Sequence, residues 1–373
     1  MRQNIVIMAK VFFIDFHTHP NQNILLKLKA LLIEAGINSI DFKKKFVALK
    51  IHFGEPGNMA FIRPNFVKVI AQIIKENEGT PFLTDANTLY KGRRSNAVDH
   101  LQSALENGFS PATTGCNVLI ADGLKGTDYK EIPINLKHCK TAKIGAAIAN
   151  ADVIISVNHF KGHEMAGFGG ALKNIGMGSG SIGGKLEMHC DSQPFIVEED
   201  CTGCEVCVNN CAHDAIHLNE ENKAEIDDNI CTGCGQCVAV CQYGAAQPRF
   251  GGKAMQEKMM EYAKAVLIDK PAFHINFLMN VSPNCDCWGY NDSPIIPDIG
   301  ILASSDPVAL DKACADLVNK APINSNSIIG NHKDSQADRF GLVFPTIDWK
   351  IGINYAEQIG LGSQQYELIK LFS

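Results

Sequence analysis

The chain has 373 residues, enough for two domains or for one large domain carrying an insertion. Hydrophobic residues make up 46% and charged residues 20%, an ordinary soluble composition, and the net charge of −6 argues against a nucleic-acid binder, which normally presents a basic face. No apolar run approaches the roughly 18 residues of a membrane span. Lys10, Asp15, His17 and His19 break the N-terminal apolar stretch before it could act as a signal peptide, so a cytoplasmic protein with neither membrane nor nucleic acid as partner is expected.

Strand-like and helix-like segments alternate along the first half. Val11 to Phe16 reads as a short apolar strand. A helix follows from about Asn23, with Leu25, Leu28, Leu32 and Ala35 near one face and Gly36 closing it. Phe46 to Phe53 is a strand, and Pro64 opens a helix carrying Val67, Ile70 and Ile74, with Gly79 beyond its end. Pro81 to Thr84 is a strand, and Ser95 is expected to cap a helix running through Leu105. Val118 to Ala121 and Val153 to Val157 read as buried strands separated by a helix near Thr141 to Asn150. Late in the chain the alternation resumes. Ala254 to Ile268 reads as a helix, Ala272 to Val281 and Gly300 to Ala303 as strands, and Asp306 with Pro307 as the start of a helix ending near Asn319.

Such alternation implies βαβ crossovers, hence an α/β fold with a mainly parallel sheet and helices on both faces. Neither flank looks complete alone. We therefore expect one discontinuous α/β domain, 8–193 with 249–373, interrupted by an inserted α+β unit at 194–248.

That middle segment holds most of the cysteines. Fourteen are too many for a chain in a reducing compartment unless they bind metal. Cys201, Cys204, Cys207 and Cys211 follow C-x2-C-x2-C-x3-C, and Cys231, Cys234, Cys237 and Cys241 repeat it thirty residues on. This is the signature of a bacterial-type two-cluster ferredoxin, in which the fourth cysteine of each run ligates the other cluster. One [4Fe–4S] cluster should take Cys201, Cys204, Cys207 and Cys241, and the other Cys231, Cys234, Cys237 and Cys211. Gly203 and Gly233 would let backbone amides turn toward the sulfurs. Ala212 and Gln242 stand where proline usually follows the fourth cysteine. Zinc also accepts four thiolates, but rarely in paired runs of this spacing.

The densest candidate site is NHFKGHEMAGFGGALKNIGMGSGSIGGKLEMH, residues 158–189. It holds His159, Lys161, His163, Lys173, Lys185 and His189, with nine glycines between 162 and 184, and is expected to be a ligand-approaching loop. Gly178, Gly180 and Gly183 satisfy G-x-G-x-x-G without the strand that must precede it, and Ser179 and Leu186 defeat a Walker loop. Lys50, His52 and Glu55, and likewise Asp85 and Asn87, sit at strand ends where open α/β sheets place their sites. Cys285 and Cys287 flank Asp286 and form a candidate third metal site, completed by Cys190, His189 or His163; otherwise they are small core residues. Cys116, Cys139 and Cys314 look like core residues. Asp15, His17 and His19 mimic a metal-dependent hydrolase barrel, but no matching downstream set follows.

VALKIHFGEPGN, FLTDANTLYKGRRSNAVDHL, HFKGHEMAGFGGALKN, the paired cysteine runs, CDC and PDIGILASSDPVALD jointly resemble the proteins built on domain of unknown function 362 with an internal ferredoxin module. The resemblance begins near Met8, so residues 1–7 are expected to be an extra leader. It implies two [4Fe–4S] clusters and an anaerobic or reducing setting, and it supplies no substrate. Gly169, Gly170 and Lys173 are distantly similar in pattern to the nickel-pincer lactate racemases, an analogy of fold alone.

Three functions fit. In the first, a redox enzyme, an oxidoreductase, passes electrons through the clusters from a partner protein or carrier. Lys50, Lys161 and Lys173, with His52, Asp85, Gly169 and Gly170, would hold a small anionic substrate. Lys173, His163 and His189 would be the catalytic groups, the histidines as proton donors or ligands. The second is a non-catalytic electron carrier or adaptor that docks a partner, and the third an isomerase or hydrolase with structural clusters.

Overall fold

The computed structural model describes residues 8–372, apart from 90–91, 190–193, 212–213, 232–236, 238–240, 242, 248–252, 333 and 335. The leader at 1–7, Cys190, Ala212, Gly233, Cys234, Gln242 and the expected boundary at 248–249 thus lie outside the described residues.

The N-terminal part runs β1 (Ala9–Asp15), α1 (Ile24–Glu34), β2 (Phe46–Ile51), α2 (Pro64–Glu76), β3 (Thr80–Asp85), α3 (Ala97–Glu106), α4 (Pro111–Thr114) and β4 (Val118–Ile120). Asn23 caps α1 through Leu25 and Leu26 N–H, and Gly36 leaves it at φ +91°, as the helix signals required. Asn96, not Ser95, caps α3, accepting from Val98 and Asp99 N–H, while Ser95 Oγ donates to the Gly92 carbonyl.

Residues 141–150 do not form one helix. A hairpin of β5 (Tyr129–Pro133) and β6 (Thr141–Gly145) leads into a single-turn α5 (Ala146–Asn150), and then β7 (Val153–His159). Ala142 and Ile144, on alternate residues, are the buried ones, which is strand periodicity.

The 158–189 segment is likewise no loop. It forms a tight hairpin, β8 (Lys161–His163) with β9 (Gly167–Gly169), then α6 (Ala171–Ser179) and α7 (Ile182–His189). Its glycines serve close packing. A Cβ on Gly176 would lie 2.1 Å from the Met259 carbonyl oxygen, and one on Gly170 would lie 2.3 Å from Asp311 Oδ1.

The cysteine-rich middle contributes β10 (Phe195–Ile196), α8 (Val206–Asn209), β11 (Ile216–Leu218), β12 (Ala224–Ile226) and β13 (Ala246–Gln247). β10 pairs antiparallel with β13, so the two ends of the segment meet, and β11 pairs with β12. Then come α9 (Lys253–Leu267), β14 (Ala272–Leu278), β15 (Gly300–Ser304), α10 (Pro307–Lys320), α11 (Arg339–Val343), α12 (Lys350–Gln358) and β16 (Tyr366–Lys370).

One eight-stranded sheet, ordered β16-β1-β15-β14-β7-β2-β3-β4, draws strands from both sides of the cysteine segment. Pairing is parallel except at β1–β15 and β15–β14. An open sheet of this order is no hydrolase barrel; Asp15 binds Lys27 Nζ at 2.7 Å and Lys370 Nζ at 3.2 Å, and His19 is exposed.

Each face carries its own core. Val47, Leu49, Ile51, Val153, Ile155 and Val157 pack with α1 and α2, whereas Ala48 and Ile154 pack with α6, α9 and α10. Strand alternation therefore turns Lys50, Ser156 and Asn158 toward the α6 face. Cys116, Cys139 and Cys314 are buried in these cores, as expected. Among the described residues, no helix is long and apolar enough to cross a membrane.

α6 has no side-chain cap of its own. Asp311, on α10, accepts Ala171 N–H at 2.8 Å, Leu172 N–H at 2.9 Å and Asn276 Nδ2 at 2.7 Å. Asp311→Ala leaves the Ala171 and Leu172 amides buried without an acceptor and Asn276 Nδ2 with only Cys314 Sγ, so urea titration should show a loss of about 2–4 kcal/mol. Asp311→Asn, which keeps one acceptor oxygen, should cost less.

Candidate functional site

Crossovers leave β2 in opposite directions, toward β3 and β4 on one side and toward β7 and β14 on the other. The β2–β7 boundary is thus a topological switch point, and the crevice beyond its carboxyl ends is where such sheets bind ligands. Lys50, Asp85, Asn158 and His159 stand at or next to those ends.

Asn174, from α6, plugs the switch point. Its Nδ2 donates to the Lys50 carbonyl at 3.0 Å, the Val157 carbonyl at 3.3 Å and Asn158 Oδ1 at 2.7 Å, while its Oδ1 accepts from Lys50 Nζ at 2.7 Å. Lys50 Nζ also pairs with Asp85 Oδ1 at 2.8 Å. Burial pulls the Lys50 pKa down against the attraction of Asp85. Burial pushes that of Asp85 up, but Lys50, His100 and Arg94 outweigh it and hold the carboxyl low.

Around this pair, Arg94 Nε binds Glu55 Oε2 at 2.7 Å and Arg94 Nη1 lies 2.9 Å from His52 Nε2, with Gly54 N–H donating to His52 Nδ1. Burial and then Arg94 push the His52 pKa well down. Asn87 joins by donating to Asp122 Oδ1 at 2.9 Å. Lys185, on α7, bonds the Gly180 carbonyl and is lowered to about 8 by burial, against Asp122 and Asp85. His52, Lys50 and Asp85 thus form one charge network that already supplies their partners from within the chain.

A second group adjoins it. Gly162 N–H bonds the Ser282 carbonyl at 2.8 Å, which draws the β8–β9 hairpin against the segment leading to Cys285. Lys173 Nζ lies 2.9 Å from Cys285 Sγ. A hydrogen bond from Cys287, then Lys173, Lys161 and His163, pull the Cys285 thiol far below its usual range despite its burial. Cys287, as the donor in that bond, is pushed up, and Lys173 is raised because Cys285 outweighs its burial. Asp286 between them accepts from His159 Nδ1 at 2.8 Å and is held at about 2; His159, then Lys161, overcome its burial.

His163 Nδ1 accepts both Met165 and Ala166 N–H at 3.2 Å, which places its proton on Nε2; burial and then Lys173 keep the ring neutral. His189 is lowered to about 3 by burial, then by Lys173 and Lys185. Of the expected catalytic residues His163, Lys173 and His189, Lys173 contacts Cys285, and both histidines are buried within reach of its charge. Gly169 pairs with Lys161 in the hairpin, and the amides following Gly170 are taken by Asp311. Asn174, Arg94 and Asp311 are the organising residues that sequence reasoning missed; all three sit inside the family-like motifs, Asp311 as an acid in an apolar helix stripe.

In the middle segment, Cys201, Cys204, Cys207 and Cys241 line one open hollow, together with Gly203, Ala224, Ala245 and Tyr243. Ala224 N–H donates to Cys201 Sγ at 3.3 Å, Ala246 N–H to Cys241 Sγ at 3.4 Å and Ala215 N–H to Cys211 Sγ at 3.3 Å. Cys201, Cys207 and Cys237 belong to the segment's small core, with Cys211 and Cys241 packed against it. Four soft donors around one hollow, with amides aimed at sulfur, suit an iron–sulfur cluster. Cys231 is half-buried, and Cys234 lies outside the described residues. Among the described residues, no three His, Cys, Asp or Glu side chains converge on a single ion-sized position.

Residues 47–316 match the family described as Domain of unknown function (DUF362). No curated protein matches the chain. Among solved structures, the chain is similar to the lactate racemase apoprotein from Thermoanaerobacterium thermosaccharolyticum, with 12% identity, TM-score 0.42, and 82% of this chain and 57% of that one covered. It is also similar to a protein from Thermotoga maritima, with 11% identity, TM-score 0.34, and coverage of 68% and 49%. The chain thus spans about half the length of the solved structures it matches.

Proposed function

The chain belongs to the DUF362 family, and from that premise we propose that it is an iron–sulfur electron-transfer protein serving a reaction site at the carboxyl edge of its sheet. The observation that carries this reading is the hollow at Cys201, Cys204, Cys207 and Cys241, which joins three cysteines of one run to the fourth of the other. Cys231, Cys234, Cys237 and Cys211 would hold the second cluster, the inserted unit being 194–248 within a host of 8–193 and 249–373. Each [4Fe–4S] group, when bound, takes up and releases one electron. A segment this short, with three cysteines among the seven described buried residues of its core, would also gain folding energy from its metal.

In the host, Lys161 and Lys173 would attract a small anionic substrate, with Lys50, His52, Asp85, Gly169 and Gly170 shaping the floor beneath it. His163, fixed with its proton on Nε2, is oriented as a donor. Electrons would arrive from a redox partner protein or carrier in a reducing, cytoplasmic setting. Cys241→Ser tests the cysteine ligation: iron should fall from about eight atoms per chain to about four. Unchanged iron in that variant would contradict the assignment.

A further inference from the structure

The observations at 285–288 carry one step beyond the proposed function, on which this step rests. Trp288 N–H bonds the Cys285 carbonyl at 3.1 Å, closing a four-residue turn. The turn sets Cys285 and Cys287 on either side of Asp286, close enough that each thiol shifts the titration of the other. Asp286 is pinned away from them: His159 holds its carboxylate, and Glu55 N–H holds its carbonyl at 2.9 Å. The position against Cys285 Sγ that a metal would need is taken by the Lys173 ammonium at 2.9 Å. Cys285 is fully buried, whereas Cys287 is half-buried and reachable from solvent.

We infer that Cys285 and Cys287 form a redox dithiol, rather than a metal site, which opens and closes a disulfide by taking and giving two electrons. In the reducing direction the Sγ–Sγ bond breaks, two electrons enter, and one proton is taken up. Cys287 keeps that proton as a thiol, and Cys285 remains a thiolate against Lys173. Two clusters held by the cysteine runs would together supply the two electrons that this step needs. A disulfide closed across a single intervening residue is strained, and strained disulfides are the easily reduced, catalytic or regulatory ones. The substrate class that follows is a disulfide, or its thiol product, exchanging at the half-buried Cys287.

The test uses the intact protein purified without oxygen and treated with diamide, followed by alkylation and peptide mass spectrometry. The peptide carrying residues 284–288 should lose about 2 Da, recover it with dithiothreitol, and escape alkylation while oxidised. Photoreducing the clusters should reopen the disulfide without added thiol. In Lys173→Ala, which removes the cation holding the thiolate, the dithiol equilibrium should move about tenfold toward the disulfide. Cys287→Ser should abolish the mass change, with circular dichroism unaltered as the folding control.

Two free, alkylatable thiols after oxidant would overturn the inference, as would metal that is lost from both Cys285→Ser and Cys287→Ser with the cysteine-rich segment still loaded. An iron-free protein whose pair still closes and reopens would support the dithiol while removing the cluster reading.

Discussion

Acidification from pH 7 to about 4 should unfold the α/β domain. His100, His189 and His274 are each held at about 3 by burial, helped at His100 by Arg94 and at His189 by Lys173. In the unfolded chain each returns to about 6.5. Below that value the unfolded state binds protons that the native state refuses, so stability falls with pH until about 3. Each histidine costs about 1.4 kcal/mol per pH unit across this window. Asp311, raised to about 6 by burial, works the other way and offsets roughly one of the three between pH 6 and 4. These four groups together give about 3 kcal/mol per pH unit, and two units remove much of a typical 5–15 kcal/mol; His52 and His163, also pushed far down by burial, steepen the loss, while Asp122 and Asp306, raised by burial, oppose it. Near-UV circular dichroism in urea at stepped pH measures it. His274, whose Nδ1 meets only Ser156 Oγ, is the cleanest control: His274→Gln should flatten the slope by about 1.4 kcal/mol per unit. A stability that holds level from pH 6.5 to 4 would contradict the buried, neutral state of these rings.

Lys50→Ala should cost about 3–5 kcal/mol, the expected penalty for stranding one member of a buried pair. The ammonium is fully buried, and removing it leaves Asn174 Oδ1 without its donor and the Asp85 carboxylate without its close cation at the β2–β7 boundary, Asp85 Oδ1 keeping only the Ala86 N–H. Because the pair is shielded from solvent, the loss should be nearly the same at low and high salt. The double replacement Lys50→Met with Asp85→Leu should recover part of it, since no lone carboxylate then remains. Chemical denaturation of the three variants checks the order; a cost below about 1 kcal/mol for Lys50→Ala would show that Asp85 is paired adequately by Arg94 and His100 alone.

Much of this architecture is written in local periodicity. α1, α2 and α10 announce themselves through Asn23, Pro64 and Asp306 with Pro307, because caps and first-turn prolines act within a few residues. The same local reading failed at Thr141–Asn150, where small apolar residues suit helix and strand equally and only pairing with Tyr129–Pro133 decides. It failed again at 158–189, because glycine density signals either backbone freedom or close packing. The second applies here, and it depends on Met259 and Asp311, far along the chain. The site followed the same division. Lys173, His163 and Cys285 were recognisable as reactive residue types, but Asn174 gains its role only when β2, β7 and α6 meet. Asp311 stands out as an acid in an apolar helix stripe, but its role appears only when α6 is found to lack a cap. The two cysteine runs were the most legible motif, since the ligand set they imply is carried by spacing alone.

The most direct measurement is iron and acid-labile sulfide on oxygen-protected protein, with EPR after reduction. The account predicts about eight irons and eight sulfides per chain, and the interacting signals of two reduced cubanes. Colourless protein without iron, or zinc bound at the cysteine runs, would contradict it.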